Sequence, residues 1–205
     1  MSKLKPIEVP EIRFHNAWLL TDAFVTYTKQ IEKFKDRPVP SWEGIQERID
    51  KNSEIWRKGE KEIVTAMQKI VGLNFYQNII DVYIVYGWKS AFSSPMVLSM
   101  RYEGEEFIDV LTHELLHRLI TDNIQKKKYK EWLSETYPEV TDKSTLNHIA
   151  IHAIHKEIYL NVLKRPDRLE FDLKKCENWP SYKKAWEIVQ NEGHTKIIES
   201  FKNFK

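Results

Sequence analysis

The sequence predicts a predominantly helical α+β protein, and three observations carry that expectation. Most of its 205 residues fall into long stretches whose apolar positions recur every three or four residues. Only two short runs, 79–86 (IIDVYIVY) and 95–100 (PMVLSM), are β-branched, aromatic or apolar without that period. Glycine and proline are few, at six and eight, which excludes collagen-like and low-complexity classes. Apolar residues make up 41% and aromatics 12% of the chain, enough for a buried core, and the expectation is a single domain over 1–205.

The elements follow in order. Residues 15–36 place Trp18, Phe24, Tyr27, Ile31 and Phe34 at helical spacing, and Pro38 and Pro40 stop that helix. Ser41 is placed to cap a second, long helix reaching about residue 71, with Ile45, Ile49, Trp56, Ile63, Met67 and Ile70 on one stripe and Gly72 just past its end. Together these predict an N-terminal helical hairpin over 1–75. A strand over 79–86 ends at Gly87. The run 95–100 reads as a second strand at a sheet edge, because Pro95 cannot donate to a ladder. The period then changes, and Phe107, Ile108, Leu111, Leu115, Leu119 and Ile120 predict a helix over about 105–121. Lys126, Lys127 and Lys128 read as a solvated turn or helix start. Beyond Pro138 a helix is expected over roughly 143–163. Residues 164–205 read as C-terminal helices broken by Pro180 and Gly193.

Charge and cysteine content narrow the function classes. Thirty-two Lys and Arg balance 30 Asp and Glu, a net +2, which argues against a nucleic-acid binder working through a dense cationic face. The single Cys176 cannot form an intramolecular disulfide or a four-cysteine zinc site, and it reads as a structural thiol in a reducing compartment. No apolar run approaches the roughly 20 residues that span a bilayer, so no membrane partner is expected. The opening MSKLKPIEVPEIRF lacks the apolar stretch of a secretory signal, and the expected location is cytoplasmic.

The chemistry concentrates in the histidines. Of seven, five fall between residues 113 and 155. His113-Glu114-Leu115-Leu116-His117 lies inside the strongly periodic helix. Side chains at i and i+4 share a helix face, so His113 and His117 can aim ring nitrogens at one cation. Zinc accepts neutral imidazole at about 2.0–2.1 Å in a tetrahedron. Glu114, rotated about 100° from His113, sits beside that axis as a general base for a water made acidic by the metal. A catalytic zinc takes three protein ligands and leaves one place for water. The segment 147–160 (NHIAIHAIHKEIYL) offers His148, His152 and His155 within about 60° of one helical face, with Tyr159 continuing the stripe. His148 is favoured as third ligand, with His152 and Glu135 as alternatives. His152 also suits a role orienting a ligand histidine. His155 and Tyr159 are candidates for contact with a substrate carbonyl.

Two strands followed by a helix bearing HELLH make residues 79–163 resemble the zincin metallopeptidases, whose fold has a small mixed sheet, an active-site helix and a later helix supplying a ligand. The layout is most similar to gluzincins, although His148 and His152 stand where that group carries acidic residues. The metzincin pattern is not matched, because Ile120 and Asn123 occupy its glycine and third-histidine positions. Trp132-Leu133-Ser134-Glu135 is similar to a string in gluzincin aminopeptidases, but their GxMEN-type motif is absent. The resemblance implies a Zn2+ cofactor and hydrolysis of a peptide or protein substrate laid along the strand at 95–100, with Glu114 activating water. The residues are also compatible with a metal-dependent hydrolase of non-peptide amides or esters, or with a structural zinc tying two helices together.

Overall fold

The computed structural model describes residues 9–124 and 128–204. They form a predominantly helical α+β protein with one four-stranded mixed sheet. The chain clusters into two compact units, residues 1–61 with 76–118, and residues 62–75 with 119–205.

The first unit holds the sheet. Strand β1 (Glu11–Asn16) pairs in parallel with β2 (Ile79–Val85), Ile12 opposite Ile80 and Phe14 opposite Val82. Strand β2 pairs in parallel with β4 (Met96–Ser99), and the two-residue β3 (Phe92–Ser93) runs antiparallel on the far side of β4. The order β1-β2-β4-β3 therefore corrects the expectation of an edge strand at 95–100, since β4 has a neighbour on both sides. The chain before Pro95 folds back as a hairpin, and all four β4 residues are buried.

Helix α1 (Trp18–Lys29) is shorter than the expected 15–36, because residues up to Asn16 join the sheet and a single 3-10 turn (Glu32–Phe34) follows. Ser41 caps α2 (Trp42–Arg57) as expected, its hydroxyl accepting the Gly44 amide at 3.2 Å. The long helix to 71 is two helices. It breaks at Lys58 and Gly59, and α3 (Glu60–Val71) follows, with Gly72 at φ +67° just past its end. Buried Ile45, Ile49, Asn52 and Trp56 give α2 one inward stripe. Asn52 is satisfied there, its amide donating to the Tyr102 carbonyl at 2.9 Å.

Helix α4 (Gly104–Asp122) matches the expected 105–121 closely. Phe107, Leu111, Leu115 and Leu119 are almost fully buried at four-residue spacing, and Phe107 meets Phe14 of β1 at 5.6 Å between ring centroids. Asn123 closes the helix by donating to the Leu119 carbonyl at 2.9 Å.

The second unit is helical. Lys126 and Lys127 lie outside the described residues, and Lys128, at φ +46°, precedes α5 (Tyr129–Thr136). Asp142 caps α6 (Lys143–Glu157), accepting the Thr145 amide at 2.8 Å. A π-helical turn (Ile158–Val162) extends it, marked by the Leu163 amide donating to the Ile158 carbonyl at 2.8 Å. Three further helices, α7 (Pro166–Cys176), α8 (Pro180–Glu192) and α9 (His194–Asn203), break at Pro180 and Gly193 as the sequence predicts. Helices α8 and α9 pack on α6 around Ile154, Trp186, Val189 and Ile197. Among the described residues, no helix is long and apolar enough to cross a membrane.

Candidate metal centre

The leucine stripe of α4 fixes where its histidines point. His113 lies about 200° around the helix from Leu111, and His117 about 200° from Leu115, from 100° per residue. The core therefore takes the leucines, and the two imidazoles emerge together on the other side, each half-buried. Their Nε2 atoms are 3.2 Å apart and the rings meet nearly edge-on, at 67°. Two imidazole lone pairs do not tolerate that separation without a proton or cation to share. A tetrahedral site with 2.0–2.1 Å bonds places neighbouring ligand nitrogens about 3.3 Å apart, so the pair matches one edge of such a site.

His148 completes the group. Ligand atoms of His113, His117 and His148 all lie within 4.8 Å of one another. The tautomer of His148 follows from its own helix. Its Nδ1 is 2.6 Å from the Ser144 carbonyl oxygen one turn earlier, and a carbonyl only accepts, so Nδ1 carries the proton. Nε2 is left with its lone pair, the form a metal requires. Burial pushes the His148 pKa below its usual value, which favours the neutral ring, while the Ser144 contact acts the other way. Three buried or half-buried neutral imidazoles can bind one divalent ion; the donor set fits zinc, and imidazole also suits copper, iron and nickel.

Glu114, between the two α4 histidines, is 8% exposed. Burial raises its pKa to about 7. A carboxyl poised there accepts and returns a proton near neutral pH.

The other histidines of α6 part company with His148. His152 is fully buried and stacks on Trp186, at 4.4 Å between centroids and 16° between planes. His155 stacks on Tyr159 at 4.2 Å, and Tyr159 is itself fully buried. Neither His152 nor His155 belongs to the three-histidine group. Glu135 is exposed on α5 and is also outside it. Cys176 is buried, and burial pushes its thiol up to about 12, the opposite of an activated nucleophile.

Sequence reasoning missed the aromatic wall beside these rings. Tyr182 of α8 lies 4.0 Å from the His148 ring and 5.6 Å from His152, and Trp186 follows one turn later. Two aromatics at i and i+4 were the available signal, indistinguishable in the sequence from ordinary core packing.

Comparison with protein-family models, with curated proteins and with solved structures gives no match.

Proposed function

We propose that the protein is a zinc-dependent peptidase of zincin type, with His113, His117 and His148 holding the metal and Glu114 acting as general base. The observation that carries this reading is the convergence of three imidazoles within 4.8 Å around a helix whose Glu114 stands between two of them. When bound, zinc supplies a Lewis acid that polarises a carbonyl and makes water acidic near neutral pH.

The chain's own residues do the rest. His148 offers Nε2 because the Ser144 carbonyl holds the proton on Nδ1. Glu114 accepts the proton of the attacking water and returns it to the leaving amine, and its raised pKa matches that double duty. The group has three members, and His152 lies against Trp186 instead of joining it. That favours an open coordination position over a structural site, which would need four protein ligands. Hydrolysis of a non-peptide amide or ester would use the same residues.

The test joins metal analysis to turnover of a peptide library beside a panel of small amides and esters. Wild-type protein and Glu114→Gln are expected to carry about one zinc per chain. The variant is expected to lose turnover by about 10²–10⁴-fold. His148→Ala is expected to lose the metal. Protein that takes up no metal at stoichiometric level, or a Glu114→Gln variant as active as wild type, overturns the proposal.

A further inference from the structure

The first unit contains a cavity of about 560 Å³ that shares no residue with the histidine group. It lies beyond β2 and β4, where α1 and the turn after it face the loops leaving the sheet. Glu103, the last of its lining residues in the chain, precedes His113 by ten residues, or about 15 Å of helical rise.

Its walls are of two kinds. Val25, Ile31, Phe34, Tyr86, Trp88 and Met100 give it an apolar and aromatic body. Trp88 is held in place by stacking between Phe24 at 5.2 Å and Phe92 at 6.0 Å. Gly87 lets α1 close against this wall, since a Cβ there would meet the Val25 backbone nitrogen at 2.8 Å. Around the same cavity stand five cations, Lys29, Arg37, Arg48, Lys89 and Arg101, against one carboxylate, Glu103. Arg48 pairs with Glu103. The remaining four have no carboxylate partner among the described residues. Arg37 instead spreads over the Phe34 ring at 4.9 Å, and the Arg101 guanidinium donates to the Lys89 carbonyl at 3.4 Å. Apolar side chains stay exposed at this face, with Tyr27 at 55% and Ile31 at 42%.

An apolar body with an unbalanced cationic rim selects a ligand of the complementary form. We propose that this cavity binds a single amphipathic anion, an acyl or aryl chain ending in a carboxylate. The volume falls in the range of single-ligand pockets, about 300–1,000 Å³, which commits the proposal to a free molecule in water over a membrane surface. This inference does not depend on the metal centre.

The test is isothermal titration calorimetry of the full chain with decanoate, with decylammonium as the charge-reversed control. Vesicles of phosphatidylglycerol and of phosphatidylcholine form separate arms. Decanoate is expected to bind one to one and saturably, decylammonium to bind at least about tenfold more weakly, and decanoate affinity to fall as salt rises. The double variant Arg37→Glu/Arg101→Glu, at two exposed positions, is expected to lose about tenfold or more in decanoate affinity. Thr28→Phe, which fills the cavity without changing charge, is expected to abolish binding while circular dichroism stays native. Absence of decanoate binding, equal binding of decylammonium, indifference to either variant, or association with phosphatidylglycerol vesicles alone overturns the proposal.

Discussion

Acidification from pH 7 to pH 5 is expected to cost the folded chain about 2 kcal/mol through His155 alone. His155 is 1% exposed, and burial, reinforced by Arg168 and Lys175, lowers its pKa from 6.5 to about 3. The unfolded chain therefore binds a proton near pH 6.5 that the folded chain refuses until about pH 3. Because the folded pKa is depressed on a base, the stability is complete above the unfolded value and is lost as pH falls below it. Each pH unit below 6.5 costs about 1.4 kcal/mol, which accumulates to about 2 kcal/mol at pH 5 and about 5 kcal/mol by pH 3. The measurement is urea unfolding of chelator-treated protein at pH 7 and pH 5, wild type against His155→Phe, which keeps an aromatic ring beside Tyr159. Chelator treatment removes the separate effect of protonating metal ligands. The difference between the two pH slopes isolates His155, because other titrating groups are common to both proteins. Equal slopes in wild type and variant would refute the reasoning.

Leu115→Ala, at a fully buried position under the paired histidines, is expected to lower unfolding free energy by about 2–5 kcal/mol in urea titrations. It is also expected to weaken metal uptake by loosening the helix that carries His113 and His117. Gly87→Ala forces a side chain at φ +86° into the Val25 backbone, and a loss of about 1–3 kcal/mol is expected by the same measurement. Removal of metal by chelator is expected to lower the melting temperature, with recovery on adding zinc. At a free zinc concentration about 100 times the dissociation constant, the stabilisation amounts to about 2.7 kcal/mol. A melting temperature indifferent to both treatments counts against the three-histidine centre.

What could be read from residues alone followed the strength of the local pattern. Helix α4 carries a leucine stripe over nineteen residues, so its bounds and the opposite-facing histidine pair were both legible. His148 was legible because α6 is long and well capped, and three histidines on one face marked that face. Strand β1 was not. Of its six residues only Ile12 is buried, so alternation has almost nothing to register, and its partner β2 lies more than sixty residues away. The break between α2 and α3 was hidden because both helices bury one apolar stripe, and only Gly59 marked the gap. At 95–100, Pro95 was a true sign of interrupted pairing, but the interruption belongs to the hairpin entering β4. The separate fates of His148, His152 and His155 depend on α8, whose Tyr182 and Trp186 come from thirty or so residues downstream. No periodicity within α6 encodes that.

The π-helical turn at Ile158–Val162 makes the C-terminal part of α6 sensitive to chain length in a way the rest of the helix is not. It holds one residue more than an α-helical turn spanning the same rise. Excising a single residue there would restore regular winding and swing everything after it by about 100°, dragging Pro166 and α7 out of phase with α8. The same excision one turn earlier would move His155 off its partner ring. A deletion scan along 150–165 would thus expose a sharp frame dependence, with the wide turn acting as the spacer that keeps the histidine-bearing helix and the C-terminal helices in step.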